Sequence, residues 1–372
     1  MSNILSATIP VDQERVLNRL VSQGLSVGFT GQYDFMREEQ SEVYVSLPEK
    51  VRQLYDEFGQ RKPMGSPSRD DSRPHYFLQR TFLGEQDLVI LFNTKRCRYQ
   101  CHFCNLPDKS RRYFIPTETI LLQFEYVLTE LKHSLSILDR LTISNEGSVL
   151  DKDTFPREAL LTIARASYEL RRVRTLVLET RLEFLEPDFI RQIMEANPRA
   201  KINVLTGFET LDSHIRDNVL VKRESIDTSL AGLDKIANCG ASLTAYVLFK
   251  PGQAMTDEQA IQEAEASIDF LVEQCRKRNI PLTIRLNPMY AAIGSRWESK
   301  ALELRGQGYA PPRLTDVLSL ARKKRQEKVN IYIGLSTEGL SASWGDYTGR
   351  EDFSPELLKE AVVFNSHDEG NE

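Results

Sequence analysis

Short apolar runs alternate with amphipathic segments from about residue 86 onward, and this rhythm constrains the fold more than any other feature of the chain. The runs are nearly continuous in Val, Ile, Leu and Phe, which is typical of strands buried on both faces of a sheet. They predict strands over 87–93, 141–144, 175–179, 202–205, 242–249, 282–286 and 330–334. The segments between them predict amphipathic helices over 117–131, 155–170, 186–195, 225–237, 256–278 and 313–326.

Strand–helix alternation of this kind favours an α/β protein with a parallel sheet. Six strand–helix units fit a partial (β/α)6 barrel of the TIM type, because a closed barrel of eight units needs more strands than the sequence predicts. The N-terminal region differs, since helical stretches at 11–23 and 48–60 precede a polar, proline-bearing segment at 61–74 that is typical of a linker. The predicted organisation is an N-terminal helical extension with linker, a barrel core, and a C-terminal tail or helix, over 1–85, 86–340 and 341–372.

Composition limits the classes of function. The chain has 372 residues, 41% of them hydrophobic, and its 48 basic and 53 acidic residues give a formal net charge of −5. This balance gives no electrostatic case for nonspecific nucleic-acid binding, although a local basic patch stays open. No apolar run approaches the ~20 residues that cross a bilayer. The N-terminus lacks the features of a secretory signal, so we expect a soluble cytosolic (cytoplasmic) protein with no membrane partner.

Three cysteines, Cys97, Cys101 and Cys104, follow the first predicted strand. Active sites of parallel barrels gather on the loops after the strands, so we expect these thiols at the mouth of the barrel. Three soft thiolates favour an iron–sulfur cluster or zinc. A four-iron cluster ordinarily takes four cysteines, so three would leave one iron open to a ligand from outside the protein.

A structural zinc site is the alternative for the same cysteines. Such a site normally has four ligands, and His102 can supply the fourth, but it lies directly after Cys101 and the resulting ligand set is too tight. Cys239 and Cys275 lie in apolar helical patterns and are expected to be ordinary core or surface thiols. A second cluster would need more cysteines than the five in the chain. Five cysteines with three clustered predict no disulfide framework and suit a reducing cytosol.

The cysteine spacing, with Phe103 just before the third cysteine, resembles the signature of the radical S-adenosylmethionine (SAM) superfamily. The resemblance implies an enzyme with a 4Fe-4S cluster on the three cysteines, with SAM on the open iron and with Phe103 beside the cofactor. It also implies an external one-electron donor of the flavodoxin or ferredoxin type. Reductive cleavage of SAM would give a 5′-deoxyadenosyl radical that abstracts hydrogen from a substrate carbon.

The resemblance also suggests roles for residues at the ends of the second and third predicted strands. Asn145, Glu146 and Gly147 stand where radical SAM proteins usually have a Gly-Gly-Glu-like turn that binds the methionine amino group. A plain turn with a solvent-facing acid is the alternative. After the third strand, Arg181 can hold the SAM carboxylate bidentately and Glu179 a ribose hydroxyl. The alternative is a structural ion pair between these two residues.

Further polar candidates follow the remaining strands. Gly207 would let a ligand approach the backbone and Glu209 can face the cavity, so both are assigned to cofactor binding. Asn287 is assigned to the cofactor, and Tyr290 to adenine or substrate. Lys250 stands at the end of the fifth predicted strand, where it is either an anion or substrate contact or a surface lysine.

Several motifs resemble one branch of the superfamily, that of the elongator catalytic subunit, and within it the radical SAM subunit of archaeosine synthase. These motifs lie at 179–181, 207–210, 246–251, 287–288 and 308–314. The branch implies modification of a 7-deazaguanine base in tRNA, or in a related nucleoside, together with a partner enzyme that first installs lysine. The chain departs from the branch in its net acidity and in having no cysteine-rich C-terminal region.

These departures keep other functions open. The first alternative is a radical SAM enzyme of small-molecule or peptide natural-product biosynthesis. A second, from another class, is a non-catalytic SAM-binding iron–sulfur protein with a redox or regulatory role. A third is a nucleic-acid-binding module on a degenerate barrel, for which steep salt dependence of RNA binding would be the evidence.

Overall fold

Strands and α-helices alternate through the part of the chain that the computed structural model describes, residues 70–106, 110–335, 340–341 and 344–366. The strands are β1 (Tyr76–Phe82), β2 (Glu85–Phe92), β3 (Arg140–Asn145), β4 (Thr175–Glu179), β5 (Lys201–Glu209), β6 (Ser242–Phe249), β7 (Leu282–Pro288) and β8 (Asn330–Ile333). The α-helices are α1 (Thr117–Glu130), α2 (Arg157–Ser167), α3 (Pro187–Ala196), α4 (Ile226–Cys239), α5 (Asp257–Lys277), α6 (Arg296–Leu304), α7 (Leu314–Gln326) and α8 (Pro355–Ser366).

The strands form one curled sheet in chain order, from β1 to β8. β1 and β2 form an antiparallel hairpin, and every later pair of neighbours is parallel. Each parallel connection passes through at least one α-helix, because the chain must return to the starting edge of the sheet. Within the described residues no backbone ladder joins β8 to β1. The fold is therefore a partial barrel of the TIM type, and the predicted fold class is confirmed.

The strand and helix predictions agree with the structure. All seven predicted strands and all six helices predicted between and after them are present, and β4 and β6 have the predicted bounds. The predicted helices at 11–23 and 48–60 lie outside the described residues. The sequence analysis does not predict α6, and α8 lies inside the segment predicted to be a tail or helix.

β1 is the strand that the sequence analysis missed, because polar residues interrupt its apolar pattern. Gln79 and Arg80 are both buried, and each has a partner. The Gln79 amide donates a hydrogen bond to the Ser134 hydroxyl at 2.7 Å, and Arg80 pairs with Asp87 of β2 at 2.9 Å. Burial of polar groups is tolerated where such partners exist, so this strand is recognisable only once its neighbours are known.

Apolar side chains between the sheet and its helices form the main core. Phe92 ends β2 and contacts Phe155 edge to face, with the ring centroids 5.4 Å apart. Phe124 of α1 is fully buried in the same core. Cys239 and Cys275 are also buried in this core, as expected of ordinary thiols. The outer layer of helices thus holds the sheet rigidly and leaves the inner face of the barrel for polar groups.

The start of α5 is fixed by a capping box. The Thr256 hydroxyl accepts a hydrogen bond from the Gln259 backbone N–H at 3.1 Å, and the Gln259 side chain accepts one from the Thr256 N–H at 2.9 Å. These bonds satisfy donors that have no partner inside the helix. Neither α5, with 21 residues, nor any other helix of the described residues is apolar and long enough to cross a membrane.

Replacing Thr256 with alanine is expected to lower the free energy of unfolding by about 1 kcal/mol, because the Gln259 N–H then loses its acceptor. Urea denaturation followed by circular dichroism measures the change. T256S keeps the oxygen and is the matched control, expected to stay within about 0.5 kcal/mol of the wild type. An equal loss in both variants would show that the cap does not stabilise the helix.

Candidate active site

A cavity of about 260 Å³ opens at the carboxyl ends of the parallel strands. Most of the residues that the sequence assigns to a site come together in its lining. These are Cys97, Cys101, Phe103, Cys104, Asn145, Glu146, Gly147, Glu179, Arg181, Gly207, Glu209, Asn287 and Tyr290. Lys250 is the exception.

The cysteine loop follows β2, and distant backbone groups hold it in place. The His102 N–H donates a hydrogen bond to the Leu220 carbonyl at 2.8 Å. The His102 carbonyl accepts one from the Trp297 N–H, at the start of α6, at 2.9 Å. Trp297 is itself buried, and its indole N–H donates to the Pro251 carbonyl at 2.8 Å. The loop is therefore anchored to two other parts of the barrel mouth, and Trp297 joins one of these to a third.

The three thiols of this loop line the cavity together. Burial raises the pKa of Cys97, of Cys101 and of Cys104. Cys97 adds to the rise in the pKa of Cys101, and both add to that of Cys104, because neighbouring thiolates repel each other. Lys222 and Arg181 act in the opposite direction on the pKa of Cys101, since nearby cations favour the thiolate.

This arrangement fits a cluster. Each cysteine of a four-iron cluster binds a different iron, so the three sulfurs need not meet at one point. Among the described residues, no group of three or more His, Cys, Asp or Glu side chains is placed to hold a single metal ion. His102, the fourth ligand of the zinc alternative, is outside the cavity lining, and its Nε2 lies 3.4 Å from Nη1 of Arg296.

The turn after β3 lies against the cysteine loop. A Cβ on Gly147 would lie 3.4 Å from the Cα of Cys97, so the two segments are in van der Waals contact. The Asn145 amide oxygen accepts a hydrogen bond from the Gly147 N–H at 3.1 Å, which fixes the turn. Glu146 is only 2% exposed and lies 2.8 Å from Nε2 of His75. The alternative of a solvent-facing acid is therefore wrong.

A cluster of buried charges, Lys222 with Glu209 and Glu224, lies beside the thiols. The Lys222 Nζ is 3.4 Å from Oε1 of Glu209 and 3.4 Å from Oε2 of Glu224. All three residues are buried. Burial raises the pKa of Glu209. Burial lowers the pKa of Lys222, but the two carboxylates outweigh it and hold that pKa above its ordinary value.

Arg181 is committed to structural contacts. Its Nε donates a hydrogen bond to Glu183 at 2.8 Å, and its Nη1 donates to the Lys222 carbonyl at 3.0 Å. Its Nη2 donates to the next carbonyl along the chain at 3.1 Å. The guanidinium carbon lies 3.9 Å from the ring centroid of Tyr99. The alternative of an ion pair with Glu179 does not fit, since the carboxylates near Arg181 are those of Glu183 and Glu224, and these contacts leave little of the guanidinium to hold a SAM carboxylate.

A chain of hydrogen bonds crosses the floor of the cavity. The Ser144 hydroxyl donates to Glu179, and the Tyr246 hydroxyl donates to Oε1 of the same carboxylate at 3.4 Å. Nη1 of Arg285 then donates to the Tyr246 hydroxyl at 3.2 Å. Tyr246 and Arg285 are partners in the register between β6 and β7, which explains why they meet. Glu179 is thus oriented from two sides.

Lys250 does not line the cavity, and its contacts favour a structural role over contact with a substrate. Its ammonium pairs with Asp257, the first residue of α5, and it is 4% exposed. Asp257 also pairs with Arg350 at 3.0 Å. The Asp257 carboxylate, seven residues further along the chain, therefore binds the Lys250 ammonium. This contact joins the end of β6 to α5.

Gly207 is placed where any side chain would collide with the buried charges. A Cβ there would lie 2.0 Å from Oε1 of Glu209 and 2.9 Å from Nζ of Lys222. Glycine at position 207 of β5 is therefore needed for the cavity wall rather than for a turn.

Phe103 lies at the cavity mouth and packs against apolar residues of the loops after β5 and β7.

The sequence analysis gives no role to several residues of the site, among them Tyr246, Arg285, Lys222 and His75. Two of them carried a signal, because Tyr246 and Arg285 are polar residues inside otherwise apolar predicted strands. Alternate residues of a strand share one face, so Arg285 lies on the same face as the predicted Asn287. Lys222 and His75 lie outside the strands, and no local pattern singles them out.

Two relatives are similar to the chain in sequence. An uncharacterised protein of Methanocaldococcus jannaschii is 23% identical over 322 residues, which cover 84% of this chain and 82% of that protein. Archaeosine synthase subunit beta of Thermococcus kodakarensis is 23% identical over 250 residues, which cover 65% of this chain and 74% of that protein. No family model matches the chain. The second relative confirms the resemblance to archaeosine synthase that the motifs predict.

Solved structures give looser similarities. The radical S-adenosylmethionine methyltransferase TsrM from Kitasatospora setae, with cobalamin and a [4Fe-4S] cluster bound, is 12% identical at a TM-score of 0.40, and the match covers 59% of this chain and 39% of that one. Methylornithine synthase (PylB) is 13% identical at a TM-score of 0.46, with 96% of both chains covered. Matches at these TM-scores are too loose to carry an argument about the reaction.

Proposed function

We propose that the chain is a radical SAM enzyme whose 4Fe-4S cluster is held by Cys97, Cys101 and Cys104. The observation that carries this proposal is the meeting of three thiols, and of no other cysteine, in the lining of one cavity at the carboxyl ends of a partial barrel. Three thiolates leave one iron for a ligand from outside. When bound, the cluster and SAM together supply one-electron cleavage of the sulfonium and a 5′-deoxyadenosyl radical.

The cavity residues would bind and orient SAM. Glu146 is a buried carboxylate beside the cysteine loop, so it can accept hydrogen bonds from the methionine ammonium. Glu179 can accept one from a ribose hydroxyl, because Ser144 and Tyr246 already fix the orientation of its carboxylate. A charge-assisted bond to an oriented carboxylate is stronger and more selective than a bond to a mobile one.

Two further residues complete the proposed cofactor site. The Asn287 Oδ1 is buried and has no partner in the described part of the chain, so it can accept a hydrogen bond from the adenine amino group. Phe103 and its apolar neighbours would exclude water from the cavity mouth. Exclusion of water protects a reactive species from side reactions, and this protection is a main contribution of the protein to such a cofactor.

The similarity to archaeosine synthase subunit beta supports a substrate of the same class, a 7-deazaguanine base in tRNA or in a related nucleoside. An external one-electron donor, a partner enzyme that prepares the base and a cytosolic location belong to this proposal. A small molecule or peptide of natural-product biosynthesis is the alternative substrate, and it would use the same cavity.

Release of 5′-deoxyadenosine tests the proposed chemistry. The full chain is reconstituted with iron and sulfide under anaerobic conditions, mixed with SAM and reduced with dithionite, and the products are separated by chromatography. We expect 5′-deoxyadenosine and methionine in equal amounts, and neither without the reductant. A protein that binds SAM and a cluster but releases no 5′-deoxyadenosine would instead be the non-catalytic redox or regulatory protein. Stimulation by tRNA, rather than by free nucleosides, tests the substrate.

A further inference from the structure

Arg285 is a buried cation that forms no direct ion pair with the described residues. It lies in β7, lines the cavity and is 5% exposed. Its Nη1 donates to the Tyr246 hydroxyl, while its Nε is buried and has no hydrogen-bond partner. Glu179, the carboxylate of the same hydrogen-bond chain, is joined to it only through that hydroxyl. A buried guanidinium is costly unless an anion neutralises it, so an anionic ligand in direct contact would stabilise the site.

The surroundings of Arg285 keep water away. Its guanidinium carbon lies 4.9 Å from the ring centroid of Tyr246 and 5.8 Å from that of Tyr332. Tyr332 in turn stacks on Phe82 of β1, with centroids 4.5 Å apart, so aromatic rings form the floor below the guanidinium. Ion pairs are strongest where water is excluded, and an anion that reached this floor would be held tightly.

Asn287 lies two residues further along β7, on the same face of the strand. Its Oδ1 is buried without a partner, as is the Nε of Arg285. Gly334 lies against both groups, since a Cβ there would be 1.8 Å from Oδ1 of Asn287 and 3.4 Å from Nε of Arg285. The adenine of SAM is the partner proposed above for Asn287, which leaves the Nε of Arg285, a buried donor beside it, for a second ligand.

We propose that Arg285, oriented by its hydrogen bond to the Tyr246 hydroxyl, binds a carboxylate of the substrate at the floor of the cavity. The inference rests on the proposed function, because only an enzyme has a substrate. It narrows the possible substrates to molecules that carry a carboxylate. A planar guanidinium matches a carboxylate through two parallel hydrogen bonds, which a neutral amide of the same shape cannot form equally well.

SAM is the other possible source of a carboxylate, and the two ends of the SAM molecule separate the two sources. The cysteines stand beyond the end of β2, where the cluster would fix the methionine part of SAM and with it the SAM carboxylate. The adenine is assigned to Asn287, beside Arg285 in β7, so the SAM carboxylate would lie at the other end of the molecule from the guanidinium. We therefore assign the anion site at Arg285 to the substrate.

Benzoate is a suitable probe for this site, and benzamide is its neutral isostere. Binding of each to the purified full chain is measured by isothermal titration calorimetry, with and without saturating SAM. We expect benzoate to bind about 10-fold or more tightly than benzamide, and R285Q to weaken benzoate binding about 10-fold or more. Saturating SAM is expected to leave the benzoate affinity unchanged. The exposed R322Q variant is the matched control and is expected to bind benzoate like the wild type.

Each contrary result overturns the inference. Equal binding of benzoate and benzamide by the wild type would show that no anion site exists, and this measurement needs no variant. Displacement of benzoate by SAM would assign the site to the cofactor. Unchanged benzoate binding in R285Q, with SAM affinity also unchanged as proof of folding, would place the anion elsewhere. None of these titrations requires SAM cleavage, so failure of the proposed chemistry would be seen separately in the 5′-deoxyadenosine assay.

Discussion

C101A is expected to form no more 5′-deoxyadenosine than a reaction without protein. Cys101 is the middle one of the three thiols that line the cavity. Without it, the two remaining thiolates cannot hold a four-iron cluster that needs three cysteine ligands. Iron content after anaerobic reconstitution and the product formed after reduction are measured on the same sample. The change is expected to be the largest that any single substitution causes, because it removes the cofactor rather than weakening one contact.

C275A is the matched control for this experiment. Cys275 is buried in α5, packed in the apolar core behind the sheet, and does not line the cavity. Its replacement leaves a small void that costs about 1 kcal/mol of stability, but the iron content and the product yield are expected to equal those of the wild type. A C101A protein that still loads iron and still releases product would refute the assignment of the ligands.

K222M is expected to lower the free energy of unfolding by about 3–5 kcal/mol at neutral pH. Lys222 is the cation between the buried carboxylates of Glu209 and Glu224, and methionine would fill its place without its charge. Among the described residues, Glu209 would then be buried without an ion pair, and Glu224 would keep only Arg181, at 3.5 Å. The loss is expected to shrink as the pH falls, because burial already raises the pKa of Glu209 and protonation removes the charge that needs a partner.

K277M provides the comparison for this second experiment. Lys277 pairs with Glu273 on the exposed surface of α5, with both side chains more than half exposed, and such pairs contribute about 0–1 kcal/mol. Urea denaturation of both variants at several pH values separates burial of a charge from loss of a lysine. Equal effects of K222M and K277M, or an effect of K222M that does not depend on pH, would contradict this account of the buried cluster.

The elements of the barrel could be predicted because their signals are local. A strand buried on both faces needs an apolar run, and an outer helix needs one apolar stripe, so each element carries its own pattern in the sequence. The location of the site followed from topology, since parallel strands bring their carboxyl ends to one side. This is why residues as distant in sequence as Cys97 and Asn287 could be assigned to one cavity.

The partners of individual charges could not be predicted in the same way. Arg181 and Glu179 are near neighbours in sequence, yet Arg181 binds Glu183 and the carbonyls after the turn that follows β5, while Glu179 is oriented by Ser144 and Tyr246. Lys250 had an unforeseen partner in Asp257 for the same reason. The path of the loops decides which oppositely charged groups meet, and no short-range pattern encodes that path.

The β1–β2 hairpin has a practical consequence for expression. A fragment begun at residue 86, where the sequence suggests that the core starts, would lose β1. The edge of β2 would then be unpaired, and apolar side chains that pack against β1, including Val89 and Leu91, would be exposed. Unpaired apolar strand edges of this kind pair with strands of other molecules and favour aggregation. The same truncation would remove His75 and leave Glu146 as a lone acid in the interior. Soluble, active fragments should therefore begin upstream of the hairpin.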